Sequence, residues 1–268
     1  LVQPQNFPRP SRSQDELNEI IAKLKDDKSV VDHGAGTLIA SDLLRSMLIA
    51  KPGHRLLFAD YAAIEARVLA WLAGETELVK TFAAGGGVYK VMAKDIYNKP
   101  VDKIDGNERQ VGKMAILGCG YGMGGKRFAE QCKAMGIEVD SEEAKRIVYV
   151  YRESNSAISN YWRDIEDEFL ENCREVISQS GQFARLPLKS GRCLTYHNPR
   201  IVERETPWGA EREAVEVDTL NSVTRQWTSQ IIWGGLLTEN VVQATARDLM
   251  AGAMMRLEMA GYPVIMSV

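Results

Sequence analysis

The chain has 268 residues and a formal net charge of −3, with 33 Lys and Arg against 36 Asp and Glu. Hydrophobic residues account for 45% and charged residues for 26%, a balance that excludes intrinsic disorder, collagen and a dense disulfide scaffold. The four cysteines form no C-x-x-C pair and lie apart from the three histidines, so nothing supports a structural zinc site. No apolar run approaches the roughly 18–20 residues that span a bilayer, and the first ten residues lack signal-peptide features. We therefore expect a soluble cytoplasmic protein.

The first predicted elements in chain order are helices. The segment Leu1–Pro10 carries three prolines and is expected to be extended. Ser13 and Glu16 have capping-box spacing, which predicts an amphipathic helix that runs to about Lys25. A second helical pattern covers Ser41–Ala50 and stops at a Pro-Gly pair.

A short strand and then a long helical region are predicted next. The apolar run Leu56–Ala59 is typical of a buried strand, which ends at Asp60, and helical spacing resumes at Ile64. The pattern over residues 74–230 is mainly helical. Within it, three prolines in Leu186–Glu213 predict an irregular, hairpin-like excursion.

The last part of the chain combines a long helix with a second strand. Helical spacing covers roughly Asn240–Met259, and Pro263–Val268 has the apolar pattern of a strand. Two short strands far apart in sequence, each beside a helix, predict an α+β fold in which a small sheet carries a large helical insertion.

Charge is unevenly distributed along the chain. The segment Val88–Arg127 contains eight basic and four acidic residues, so it carries +4 and the remainder carries −7. A locally basic lobe of this kind could bind phosphates, as in a non-catalytic nucleic-acid-binding module. On charge alone, ordinary solvated helices are the more common explanation.

Two carboxylates lie close to the end of the first predicted strand. Asp60 ends the strand, and Glu65 lies in the first turn of the helix that follows. A carboxylate fixed at a strand end and open to solvent is a suitable ligand for a hard cation such as Mg²⁺. Asp60 as a helix cap and Glu65 as a partner of the helix dipole explain the pattern equally well.

Four residues at intervals of four predict one functional helix face: Arg109, Lys113, Leu117 and Tyr121. Each interval turns an α-helix by about 400°, so the side chains are expected along one face over roughly 18 Å. Two cations followed by an apolar and an aromatic residue suit a nucleoside triphosphate laid along the helix. The alternative is an exposed helix with two ordinary cations.

The segment Gly120–Lys126 matches both G-x-x-x-x-G-K and G-x-G-x-x-G. A P-loop requires Ser or Thr after the lysine and a strand before the glycines. Here Arg127 follows the lysine, and Glu108–Leu117 has a helical pattern. A helix end followed by a glycine-rich turn is the better interpretation, and a P-loop NTPase is the alternative.

Together these residues resemble family A DNA polymerases, the DNA polymerase I class, and more particularly bacteriophage-type members. The run Leu57–Ala70 resembles motif A of the family, and Arg109–Gly122 resembles motif B, the O-helix of the fingers. Asn6 resembles the entry from thumb to palm, and Gln243 fits the palm helix that touches the primer-template.

The resemblance implies template-directed nucleotidyl transfer from a dNTP to a primer 3′-hydroxyl. Asp60, with the backbone carbonyl of Tyr61, would hold the two Mg²⁺ ions of the mechanism. Arg109 and Lys113 would bind the triphosphate and neutralise charge on the departing pyrophosphate. Lys113 would also serve as a general acid for that leaving group.

The remaining site residues are implied in the same way. Leu117 stands in the dNTP site where most cellular members have an aromatic residue, and Tyr89 stands where the family often has a triphosphate-contacting His. Glu65 would pack against the sugar and exclude a ribose 2′-hydroxyl. Tyr121 would hold the templating position, and Gln243 would contact DNA.

The resemblance also implies a right-hand palm over residues 1–74 and 233–268, with helical fingers over 75–232. In the family, the strand that resembles Pro263–Val268 runs into His-Asp-Glu, whose Asp is a metal ligand. We therefore expect a palm-and-fingers fragment that is inactive alone. The implied protein is a monomer that binds primer-template DNA and dNTP, and no membrane, in the cytoplasm of a phage-infected bacterium.

Overall fold

The computed structural model describes residues 7–8, 10–26, 36–205 and 209–267. The chain separates into two compact units, of which the first comprises Leu1–Tyr61 with Gly261–Val268 and the second comprises Ala62–Ala260. The palm and fingers limits given above stay predictions. Asn6 and Val268 lie outside the described residues.

The described part of the first unit contains two helices, α1 (Gln14–Asp26) and α2 (Gly36–Leu43), the second of which continues as a 3₁₀ turn, Leu44–Met47. The predicted capping box of α1 is confirmed, since Ser13 N donates to Glu16 Oε2 at 2.7 Å and Glu16 N donates to Ser13 Oγ at 3.4 Å. The helix predicted over Ser41–Ala50 is displaced toward the N-terminus. Its last turn tightens into the 3₁₀ form, which ends before Ala50.

Both predicted strands are wrong. Among the described residues, neither 54–60 nor 262–267 forms a strand or a helix. Leu57 and Phe58 are exposed rather than buried. The physical reason is that a strand requires a hydrogen-bonded neighbour, and an apolar run does not specify one. No ladder to these residues is formed in the part of the chain that the structure describes.

The second unit begins with a bundle of helices. In order they are α3 (Ile64–Ala73), α4 (Thr76–Ala83), α5 (Val88–Tyr97), α6 (Gly106–Met114), α7 (Gly125–Ala134), α8 (Ser141–Ser154) and α9 (Ser156–Ser178). Short 3₁₀ and π-helical segments lie at Val101–Lys103 and Ala115–Cys119. The bundle closes around fully buried side chains such as Phe128, Ile147 and Tyr151.

A four-stranded antiparallel sheet follows the bundle: β1 (Phe183–Pro187), β2 (Cys193–Glu205), β3 (Glu211–Leu220) and β4 (Trp227–Ile232), in the order β1-β2-β3-β4. The prediction of a mainly helical region to residue 230 is therefore wrong after Ser178. The predicted irregular hairpin corresponds to the antiparallel pair of β2 and β3, whose register is interrupted between His197 and Arg200. Two of the prolines are compatible with strands, because Pro187 lies on the edge strand β1 and Pro199 lies where the β2–β3 register shifts, and a sheet tolerates proline on edge strands and in bulges.

A long helix, α10 (Gly234–Met259), ends the second unit where predicted but begins six residues earlier than Asn240. One face of the sheet packs on α9 and α10, with Tyr196 and Val217 of the sheet in one cluster with Phe169 and Leu237. The predicted α+β class is confirmed, although its strands come from a different part of the chain. None of the helices among the described residues is long and apolar enough to cross a membrane.

Candidate functional site

The cationic helix, our name for α6, carries Arg109 and Lys113. A capping box fixes its start: Glu108 N donates to Asp105 Oδ1 at 2.9 Å, and Asp105 N donates to Glu108 Oε2 at 3.1 Å. The buried Glu108 carboxylate also pairs with Lys99. Because this carboxylate serves both the cap and the ion pair, the first turn that bears Arg109 is held in place.

A glycine sets how closely α5 approaches the cationic helix. A Cβ atom on Gly112 would lie 2.2 Å from the Tyr89 carbonyl oxygen and 3.0 Å from the Ala93 backbone nitrogen. Only a residue without a side chain permits this approach. The half-buried Tyr89 ring consequently lies next to the Arg109 guanidinium, with 5.6 Å between Cζ and the ring centroid. Two predicted triphosphate contacts are thus neighbours.

Most cations of the basic segment 88–127 are free of acidic partners. Lys94 pairs with Asp95 at 3.4 Å, and Lys99 pairs with Glu108. Six others form no ion pair with any residue in the described ranges: Lys90, Lys103, Arg109, Lys113, Lys126 and Arg127. The predicted positive excess is therefore available to an external anion.

The prediction that one α-helix carries all four residues of the functional face is wrong. Only Arg109 and Lys113 lie in α6, whereas Leu117 lies in the π-helical segment and Tyr121 in the turn after it. A π-helical turn holds one more residue than an α-helical turn, so later side chains are displaced around the axis. Leu117 is 37% exposed. Single-turn π segments often mark functional positions.

Tyr121 nevertheless joins the end of this helical run to α3. Its hydroxyl donates to Glu65 Oε2 at 3.1 Å, across 56 positions of sequence. Burial raises the pKa of the Tyr121 phenol, and the nearby Glu65 charge and their hydrogen bond raise it further. The phenol therefore stays protonated and remains a donor to the carboxylate.

Two tryptophans that belong to none of the sequence motifs, Trp162 and Trp233, lie at the turn around Tyr121. Trp162 Nε1 donates to the Gly120 carbonyl oxygen at 2.8 Å. The Gly-Gly pair that follows Trp233 is the available sequence signal, because a Cβ atom on Gly235 would lie 2.3 Å from the Tyr121 carbonyl oxygen. The start of α10 therefore supports the backbone of Tyr121.

Asp60 and Tyr61 belong to the first unit, and both are exposed. In the described part of the chain, Asp60 has no hydrogen-bond or ion-pair partner. Mg²⁺ commonly takes one or two protein carboxylates and completes its shell with water and phosphate oxygens. A free carboxylate followed by a backbone carbonyl fits that donor set. The described residues hold no cluster of three or more His, Cys, Asp or Glu that could bind a metal.

Gln243 is exposed on α10 beside a groove of about 360 Å³. Its Nε2 donates to Glu239 Oε1 at 3.3 Å. Asn240, Gln243 and Arg247 have the spacing of one helix face and line the groove opposite residues 194–196 of β2. The groove offers amides and a cation to a polar, anionic ligand.

The P-loop alternative is wrong. The residues before the glycines form α6 and the π-helical segment, whereas a P-loop follows a strand. Lys126 lies exposed in the first turn of α7, whose N-cap is Gly124. The glycines instead make the turn that connects two helices.

Comparison with known proteins places these features in a family. The model of DNA polymerase family A matches residues 36–263. A DNA polymerase of Bacillus phage SP02 is 34% identical over 250 residues, which are 88% of this chain and 38% of the relative. A DNA polymerase of Mycobacterium phage D29 is 32% identical over 174 residues, or 65% of this chain and 27% of the relative.

A solved structure, the POL domain of Pol1 from M. smegmatis in complex with DNA primer-template and dNTP, is 19% identical with a TM-score of 0.45. It covers 75% of this chain, which covers 30% of that one. The chain thus spans less than two fifths of the length of each of these proteins. Since the family model matches most of the sequence, the chain belongs to DNA polymerase family A.

Proposed function

We propose that the chain takes part in template-directed DNA synthesis, in which a primer 3′-hydroxyl attacks a dNTP and pyrophosphate leaves. The cationic helix is the observation that carries this proposal. Arg109 and Lys113 lie one helical turn apart, and neither has an acidic partner among the residues described. A triphosphate is the kind of anion that two such cations attract.

Different side chains of this chain would contact the triphosphate, the leaving pyrophosphate and the sugar of the nucleotide. Arg109 and Lys113 bind the triphosphate and offset the charge that develops on pyrophosphate. Lys113 Nζ passes a proton to the pyrophosphate oxygen as the phosphorus–oxygen bond breaks. Leu117 offers an apolar surface to the nucleotide. Glu65, hydrogen-bonded by Tyr121, excludes a ribose 2′-hydroxyl.

Asp60 and the Tyr61 carbonyl would hold Mg²⁺, which supplies Lewis-acid polarisation of the phosphoryl oxygens when bound. The exposure of the Asp60 carboxylate and its lack of a partner among the described residues support this role. Gln243 would contact primer-template DNA from the groove on α10, where an amide and Arg247 are exposed together.

Lys113→Ala and Lys126→Ala form a matched pair that tests the proposal. Both residues are unpaired lysines of the same basic segment, but only Lys113 lies on the cationic helix. In the complete gene product, we expect Lys113→Ala to lower kcat/KM for dNTP by about 100-fold, the usual loss when a charge-stabilising group is removed. Lys126→Ala should change it less than twofold. The reverse order, measured by single-nucleotide primer extension, would contradict the proposal.

The other candidate function is non-catalytic binding of nucleic acid, which the six unpaired cations favour. Such a module has no use for an exposed carboxylate at Asp60, so substitution of that residue separates the two candidates.

A further inference from the structure

The face of the sheet that points away from α9 carries three rings, Phe183, His197 and Trp227, which we call the aromatic row. Along β1 and β2, Phe183 and His197 alternate with the buried Ala184 and Tyr196, so they point to the opposite face. Phe183 lies directly opposite His197 in the strand register. The row therefore begins as a cross-strand pair.

The three rings form a continuous band across the sheet. The Phe183 and His197 ring centroids are 5.1 Å apart, and those of His197 and Trp227 are 5.2 Å apart. Because β3 lies between β2 and β4, the Trp227 ring must reach across β3 to contact His197. Trp227 is 60% exposed and Phe183 is 45% exposed. Ring faces are thus open to a stacking partner at both ends of the row.

A bulge in β2 fixes the middle of the row. The register between β2 and β3 shifts between His197 and Arg200, and Asn198 adopts a left-handed backbone conformation with φ +48°. Asn198 Nδ2 donates to Asp218 Oδ2 at 2.8 Å, which ties the bulge to β3. Bulges commonly aim a side chain at a functional position.

The charges around the row favour an anion. Arg200 binds both neighbouring acids, Glu216 Oε2 at 3.0 Å and Asp218 Oδ1 at 2.8 Å, so neither carboxylate is left without a cation. Arg185 lies on the same face two residues after Phe183, and Arg225 lies in the turn two residues before Trp227. Both arginines are exposed and form no ion pair within the described ranges.

We propose that the aromatic row is a binding site for single-stranded nucleic acid. Bases stack on Trp227 and Phe183, while Arg185 and Arg225 contact the phosphates on either side. Exposed rings on a sheet with flanking cations are a general solution for binding unpaired strands, because every base has a stacking face. Resting on the proposed function, we assign the ligand as the unpaired stretch of the template.

Binding of fluorescein-labelled dT20 to the complete gene product, without primer or dNTP, tests the site directly. Loss of one stacking ring costs roughly 1–3 kcal/mol per base, so Trp227→Ala and Phe183→Ala should each raise the Kd for dT20 by about 5- to 150-fold. The double variant Arg185→Ala/Arg225→Ala should flatten the slope of log K against log salt by about 1.4, since each single-strand phosphate contact contributes about 0.7.

Two further variants separate stacking from folding. Tyr149→Ala removes an aromatic residue that is 63% exposed on α8, outside the sheet, and should leave Kd unchanged. Trp227→Phe keeps a ring and should bind dT20 within about threefold of the parent. Equal losses in Trp227→Phe and Trp227→Ala would contradict stacking. Parental affinity in Trp227→Ala would overturn the site and favour a protein partner for this face.

Primer extension distinguishes this inference from the proposed function. On a template with a two-nucleotide overhang, Trp227→Ala should extend primers like the parent. On a template with a 30-nucleotide overhang, Trp227→Ala should have a higher KM for DNA than the parent, because the longer unpaired stretch reaches the aromatic row. If the parent extends no primer but binds dT20 through Trp227, the proposed function fails and the site stands. If the parent extends primers and Trp227→Ala binds dT20 equally well, the site fails alone.

Discussion

The hydrogen bond between Tyr121 and Glu65 is the smallest unit on which the proposed site depends. It connects the turn after the π-helical segment to the first turn of α3. Because partial burial and the Glu65 charge raise the pKa of the half-buried Tyr121 phenol, the hydroxyl remains protonated throughout the range of enzyme assays. The contact is thus a fixed constraint on the position of Glu65.

Tyr121→Phe removes only the hydroxyl. Hydrogen bonds to charged groups contribute roughly 1.5–3 kcal/mol, and the half-buried carboxylate recovers some solvation, so we expect unfolding free energy to fall by about 1–2 kcal/mol. Urea unfolding of the chain measures this value. The exposed Tyr149→Phe is the matched control and should change the unfolding free energy by less than about 0.5 kcal/mol.

Tyr121→Phe should also weaken sugar selection, because Glu65 is no longer held by the Tyr121 hydroxyl and admits ribonucleotides more readily. An unchanged ratio of rNTP to dNTP incorporation would argue against a role of Glu65 in excluding the 2′-hydroxyl.

At the scale of elements, the packing of α5 on the cationic helix rests on Gly112. Its virtual Cβ meets backbone atoms of Tyr89 and Ala93, which cannot rotate away as a side chain would. Gly106 begins the same helix with nothing within 4 Å of its own virtual Cβ. The two glycines therefore differ in packing while sharing one helix.

Gly112→Ala should destabilise the chain, whereas Gly106→Ala should not. Alanine gains up to about 1 kcal/mol in helix propensity over glycine, while overpacking commonly costs about 1–3 kcal/mol and a 2.2 Å backbone approach lies at the severe end. We expect a net loss of about 2 kcal/mol for Gly112→Ala in urea unfolding, with a higher KM for dNTP as Arg109 shifts. Equal unfolding free energies for the two variants would show that the helices separate freely.

Elements with local signals were predictable, and elements that depend on distant partners were not. The capping box at Ser13 and the helical spacing from Ile64 predicted real helices, because caps and spacing act within a few residues. The strand at Leu56–Ala59 was wrong because pairing is not encoded in an apolar run. The contact between Tyr121 and Glu65 could not be predicted from local patterns either, because the two residues are 56 positions apart in sequence. The family resemblance assigned a role to each residue but did not predict the hydrogen bond between them.

At the scale of the whole molecule, the net charge of −3 conceals the distribution that matters. The sequence predicts a basic segment. In the structure, three of its four acids (Asp95, Asp105 and Glu108) are engaged locally, while six of its cations stay unpaired within the described ranges. These cations lie in the second unit, whereas the proposed metal ligand Asp60 lies in the first. Substitution of Asp60 should therefore impair catalysis while leaving all six of these cations in place to bind DNA.

Asp60→Ala should abolish primer extension by the complete gene product while leaving its Kd for primer-template within about twofold. The substitution removes an exposed carboxylate that has no partner among the residues described, so folding should be unaffected. Asp15→Ala, another exposed carboxylate of the first unit, is the matched control and should retain full extension. Titration of Mg²⁺ should restore no activity to Asp60→Ala, because the missing group is a ligand and not a screened charge. Extension at the parental rate in Asp60→Ala would remove the metal assignment and leave nucleic-acid binding as the better account of the unpaired cations.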